Sequence, residues 1–130
     1  DCLLSRGLGD VYKRQEHATT IEDALDSYKR EGTEGDRLRF YNGSGEIAKV
    51  LVYPDSSADG VYEEYFYWGE QMFYTYVWDG DEKQYFYYQD GLLIRWIDKD
   101  GKVHDKESDN DEYVELGDKY WSNSVMELQQ

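Results

Sequence analysis

Cysteine, histidine, proline and basic residues are all scarce in this 130-residue chain, and each shortage removes a class of function. The single cysteine, Cys2, can form no internal disulfide, and two histidines, His17 and His104, give a Ser-His-Asp or Cys-His arrangement almost no material. Fourteen Lys+Arg against 29 Asp+Glu leave a net charge of -15, which repels phosphate backbones, because binding them depends on basic side chains that release counterions. No nucleic-acid partner is expected, and the same repulsion argues against contact with anionic membrane surfaces. No run approaches the roughly 20 apolar residues that cross a bilayer. Gly43-Ser44-Gly45 lacks the third glycine and the βαβ setting of a dinucleotide site and reads as a hairpin turn. No cofactor is expected, and the chain reads as no enzyme.

What the sequence has in abundance is aromatic surface: 14 Tyr, 4 Trp and 4 Phe. An acidic chain with so many rings can bury enough apolar area to fold, where a ring-poor one of equal charge stays disordered. Length allows one domain.

Residues 16–36 carry a capping-box-like start at Thr20-Ile21-Glu22-Asp23, with Ile21, Ala24, Leu25 and Tyr28 at helical spacing. The segment predicts a short helix and a loop, with a strand through Tyr28 as the alternative. Beyond Arg37 the punctuation is glycine: Gly60, Gly69, Gly80, Gly91 and Gly101 follow one another at hairpin intervals, and four of the five stand after aspartate. The intervening segments predict strands at Leu38 to Tyr41, Ile47 to Tyr53, Val61 to Trp68, Met72 to Trp78, Gln84 to Tyr88 and Leu92 to Ile97. Alternation places Met72, Tyr74, Tyr76 and Trp78 on one face and Phe73, Thr75 and Val77 on the other. Both faces are apolar, so the second is expected to be covered by a helix, by curvature or by a partner. A capping box at Ser108-Asp109-Asn110-Asp111 opens a C-terminal helix whose stripe is Val114, Trp121, Val125 and Leu128. Gly117 within it marks a kink or a close contact with the sheet. The expected fold class is therefore α+β: a five- or six-stranded antiparallel meander over residues 37–130 with its C-terminal helix, preceded by a short N-terminal helix.

Three kinds of site were weighed from these residues. Exposed rings on a rigid sheet stack on sugars or on a partner's side chains, and the candidates are Tyr65, Tyr67, Tyr74, Tyr76, Trp78, Tyr87 and Trp96. Most such rings, at a period of two, belong to a core instead. Paired carboxylates suggest Glu63 and Glu64, but strand neighbours point to opposite faces and cannot flank one glycosidic bond. A hydrolase could then arise only from carboxylates on different strands. For a metal, the calcium-loop frame that fits Gly101 and Glu107 begins on Trp96, which cannot ligate, leaving only an irregular cation site from Asp98, Asp100, Asp105 and Asp109.

Two resemblances add context. Asp10-Val11-Tyr12-Lys13-Arg14-Gln15 resembles the translation of a transposase mosaic-end sequencing adapter found at the start of metagenomic reading frames. Residues 1–15 are on that basis expected to be a non-native tail of a fragment from a longer protein. The runs Tyr62-Glu63-Glu64-Tyr65-Phe66-Tyr67-Trp68 and Gln84 through Asp98, the latter containing Asp90-Gly91-Leu92-Leu93-Ile94-Arg95-Trp96-Ile97, are similar to uncharacterised aromatic hairpin domains of exported proteins and lipoproteins of Gram-positive anaerobic bacteria. That resemblance implies an extracytoplasmic, non-catalytic structural or interaction module, anchored through an upstream segment, with a protein or cell-envelope glycan as partner. It supplies no site residues.

Overall fold

The computed structural model describes residues 2–53, 60–105 and 111–129, with no side-chain description for 2–9. Eight strands form one antiparallel sheet in strict chain order: β1 Lys29–Thr33, β2 Arg37–Tyr41, β3 Ile47–Val52, β4 Val61–Trp68, β5 Gln71–Asp79, β6 Lys83–Gln89, β7 Leu92–Ile97 and β8 Val103–Asp105. The helices are α1, Cys2–Ala24, followed by a 3-10 turn at Leu25–Ser27, and α2, Asp111–Leu128.

The six strands expected from the glycine punctuation are all present within a residue or so of their predicted limits. The expected total of five or six is too low, because both edge strands carry a weak hydrophobic signal. β1 reads Lys-Arg-Glu-Gly-Thr and is exposed throughout, and β8 has three residues. A charged edge also resists pairing with another chain, which removes the apolar pattern that sequence reading depends on. At the β6–β7 corner Asp90 and Gly91 both have positive φ, 51° and 85°, as a two-residue hairpin turn of the primed kind requires.

Alternation holds only between bulges. Register shifts at Phe40/Tyr41, Phe66/Tyr67 and Tyr87/Tyr88 leave Ala48, Phe73 and Ile94 as the extra residues on the facing strands. The expected set Met72, Tyr74, Tyr76 and Trp78 is therefore split. Met72 joins Val50, Tyr65, Phe86, Tyr88, Leu93 and Trp96 on the face covered by α2, while Phe73 joins Phe66 and Ala48 on the face covered by α1.

Each face of the sheet thus has its own helix. On α1, Ala18 and Ile21 are buried against Ala48, Phe66 and Phe73. The helix is longer than the short one expected and runs unbroken through residue 15; Val11 is buried, Arg14 Nε donates to the Tyr88 carbonyl, and Gln15 Nε2 donates to the Tyr87 hydroxyl. On α2 the fully buried residues are Tyr113, Gly117, Tyr120, Ser124 and Glu127; of the expected stripe Trp121 and Leu128 pack partly buried against the same core, and Val114 is 55% exposed. Two tyrosines supply most of this buried set's apolar area, Tyr120 by packing its ring 4.7 Å from Phe86. Tyr113 donates to the Leu93 carbonyl at 2.7 Å. Gly117 makes the close contact: its carbonyl accepts from Tyr88 Oη at 2.7 Å, and a Cβ there would meet Leu93 at 3.2 Å. At the helix end Glu127, buried, takes Arg37 at 2.6 Å and Arg39 at 3.4 Å, tying α2 to β2. Of the expected capping box, Ser108, Asp109 and Asn110 lie outside the described residues.

Candidate functional site

Strand register decides which rings meet. On the α1 side, Glu64 stands opposite Tyr76 and Leu51, Tyr76 opposite Tyr85, and Phe66 opposite Tyr74 and Lys49. The middle of this face is roofed by α1, whereas the neighbouring part is open. Between the two lies a cavity of about 910 Å³, lined on the helix side by Tyr12, Gln15, Glu16, Thr19, Thr20 and Glu22, and on the sheet side by Tyr62, Glu64, Phe66, Tyr74 and Tyr76. Its floor continues as a ladder of half-exposed rings: Tyr53 to Tyr62 at 5.9 Å, Tyr62 to Tyr76 at 6.0 Å, Tyr76 to Tyr85 at 5.5 Å.

An ion pair beneath this groove adds to the apolar packing that seats α1 over the sheet. The Lys49 ammonium is buried on the floor, bonded to Glu22 of α1 and, at 3.1 Å, to Glu64 of β4, and it sits 5.0 Å from the centre of the Phe66 ring. A buried ammonium demands such partners, since an unpaired charge in a low dielectric is costly. Burial pushes the Glu64 carboxyl above the usual carboxylate range, against the opposing pull of Lys49. The phenols register the same field: Tyr76 is pushed up to about 12 by burial, by the Tyr62 and Tyr85 phenols and by Glu64, and Tyr62 is raised by burial and by Glu64.

The seven candidate rings separate into two groups. Tyr65, Tyr67, Tyr87 and Trp96 are each at most 3% exposed, so their faces are spent on packing. Tyr67 Oη donates to the Ser124 carbonyl at 2.8 Å, and Trp96 Nε1 donates to Gln84 at 2.9 Å. Tyr74 and Tyr76 line the groove, and Trp78 lies beyond it with the Lys83 ammonium 5.8 Å from its ring centre. Tyr62, Glu22 and Lys49 are not among the candidate site residues the sequence singles out, and Glu64 enters there only as half of a carboxylate pair with Glu63. The signal for them was the pairing Glu64↔Tyr76, which needs a register that single-strand alternation does not supply.

Glu63 and Glu64 do face opposite sides: Glu63 accepts from Tyr65 Oη on the α2 side, and Glu64 lines the groove. The acidic turn after β7 is closed on itself. Asp98 Oδ1 accepts from the backbone N–H groups of Asp100 and Lys102, and Oδ2 lies 2.8 Å from His104 Nε2, whose ring stacks on Trp96 at 4.2 Å. Despite partial desolvation, the His104 contact and the two backbone N–H groups hold the Asp98 carboxyl below its ordinary range. Asp105 is engaged by Arg95 at 2.8 Å, Asp100 contributes only its backbone N–H, and Asp109 lies outside the described residues. Among the described residues, no group of three or more His, Cys, Asp or Glu side chains converges to hold a metal ion, and no helix is long and apolar enough to cross a membrane.

A second, smaller cavity of about 380 Å³ lies where the β6–β7 turn meets α2, beside the exposed Leu92 and Val114. No protein-family model, no curated protein and no solved structure matches this chain.

Proposed function

We propose that the chain is a non-catalytic interaction module displayed outside the cytoplasm, and that the groove between α1 and the open part of the sheet is its contact surface. The observation that carries this reading is the groove itself, a large concavity walled by rings and carboxylates on two rigid elements that Lys49 bridges. Two features support a binding role over a catalytic one: Glu63 and Glu64 lie on opposite faces, and Glu22 and Glu64 share the Lys49 ammonium, Glu64 through Oε2 alone. The extracytoplasmic placement rests on the resemblance of residues 62–98 to exported hairpin domains.

A carbohydrate-binding module is the second reading, favoured by the Tyr53–Tyr62–Tyr76–Tyr85 ladder. Against it, successive rings are tilted by 56°, 34° and 59°, a corrugated surface where sugar stacking favours a flat one. Arrays of immobilised peptides and cell-envelope glycans, probed with the chain and with Tyr62→Ala, test the proposal. Capture lost in the variant is the expected result. Capture that the variant leaves unchanged overturns the groove, and cleavage of any arrayed glycan overturns the non-catalytic reading.

A further inference from the structure

Resting on the proposed binding role, we infer that the groove takes a lysine-bearing extended segment of a partner protein, with the lysine ammonium held between the Tyr62 and Tyr76 rings and the carboxylates of Glu16 and Glu64. Charge complementarity carries the choice of occupant. No Lys or Arg lines the cavity, while Glu16, Glu22 and Glu64 do, and Lys49 beneath it offsets only part of their charge. The surrounding molecule carries a net charge of -15, a field that draws cations and repels anionic segments.

The ring faces add a second attraction of the same sign. An aromatic face is the negative end of a quadrupole, and an ammonium within about 6 Å of its centre is stabilised. The chain already uses this contact with its own lysines: Lys49 over Phe66 at 5.0 Å, Lys119 over Tyr120 at 5.2 Å and Lys83 over Trp78 at 5.8 Å. Tyr62 and Tyr76 line the same cavity beside Glu64, both half exposed. A neutral saccharide would stack on the rings and donate hydroxyls to the carboxylates but leave their charge uncompensated. A lysine ammonium meets the ring faces and balances that charge.

The test titrates the isotope-labelled full chain with acetyl-tetralysine amide, acetyl-tetraglutamate amide and a neutral β-linked glucan hexamer, following backbone amide shifts. Tetralysine is expected to move the amides of Glu16 to Glu22 and of Tyr62 to Glu64, and to bind about tenfold more weakly to Tyr76→Leu and to Glu64→Gln. Glu16→Lys, an exposed substitution that leaves the packing intact, is expected to abolish the shifts, and raising the salt to about 0.5 M to weaken them, because the site is partly open to solvent. Tetralysine shifts lying elsewhere, or unaffected by Glu16→Lys, overturn the inference. Shifts in the groove from the glucan but not from tetralysine overturn it while leaving the binding role standing. Silence from all three probes removes both.

Discussion

Glu63 shows how burial of one carboxyl sets the pH response of the fold. Its oxygen accepts from Tyr65 Oη, whose own oxygen accepts from Asn123 at 3.3 Å, and burial raises the carboxyl above its ordinary value despite that hydrogen bond and nearby Lys119. A carboxyl whose folded pKa is raised binds its proton more tightly in the native state. Its stabilising contribution is complete below the unfolded value near 4.5 and is lost as pH climbs through the raised one. Glu64, also raised by burial, acts in the same direction. Glu63→Gln keeps an acceptor for Tyr65 and removes the charge, so its melting temperature at pH 7 should exceed that of the parent by about 1 to 3 °C, with the gap closing toward pH 4.5. A scan showing no gap at pH 7 would contradict the burial argument. At this scale the sequence was silent: nothing in Tyr62-Glu63-Glu64-Tyr65 says which glutamate is bonded to a phenol and which to a lysine, because that depends on partners 2 and 15 residues away in the chain.

The helix α2 and the strands differ in how much of their packing the sequence carried. Asp-Gly corners and the apolar content of β2 to β7 mark those six strands, since turn chemistry is local. The bulges are not local: Ala48, Phe73 and Ile94 become extra residues only through the register of the facing strand, and each shifts the inside-outside alternation that follows. Of the expected α2 stripe, Trp121 and Leu128 pack on the core while Val114 faces out, for a related reason. Hydrophobicity ranks Val114 above Tyr113, yet the ring with a hydrogen bond to the Leu93 carbonyl is the one buried. Gly117 was correctly singled out, and its contact with Leu93 yields a test. In an exposed helix Gly→Ala gains about 1 kcal/mol, but here the added Cβ presses on Leu93 Cβ, which its backbone holds in place. Gly117→Ala should therefore destabilise by about 1 kcal/mol in urea unfolding, and the double variant Gly117→Ala/Leu93→Gly, which removes the opposing Cβ, should recover the helix gain relative to Leu93→Gly alone.

For the molecule as a whole, the question is how much of the chain the two-faced sheet needs. We propose that residues 1–15 are foreign to the domain, in which case they must be dispensable for folding. Starting the chain at Glu16 keeps Ala18, Ile21 and the Lys49–Glu22 pair, and loses Val11, Arg14 and Gln15 from over β6. The shortened chain should fold with an unchanged near-UV spectrum and about 2 kcal/mol less stability, the size of one buried valine and two partly exposed hydrogen bonds. Loss of the folded signal would make those residues integral. In either case the groove wall from Glu16 to Glu22 remains.

Every strand in this sheet hydrogen-bonds only to the strand before it and the strand after it. Hairpins can therefore be gained or shed at either margin without rethreading what remains, whereas the centre, clamped from both sides by helices, fixes its own size. The architecture is a ruler with one anchored segment: its margins can be extended without disturbing β2 to β7, which the helices hold in place.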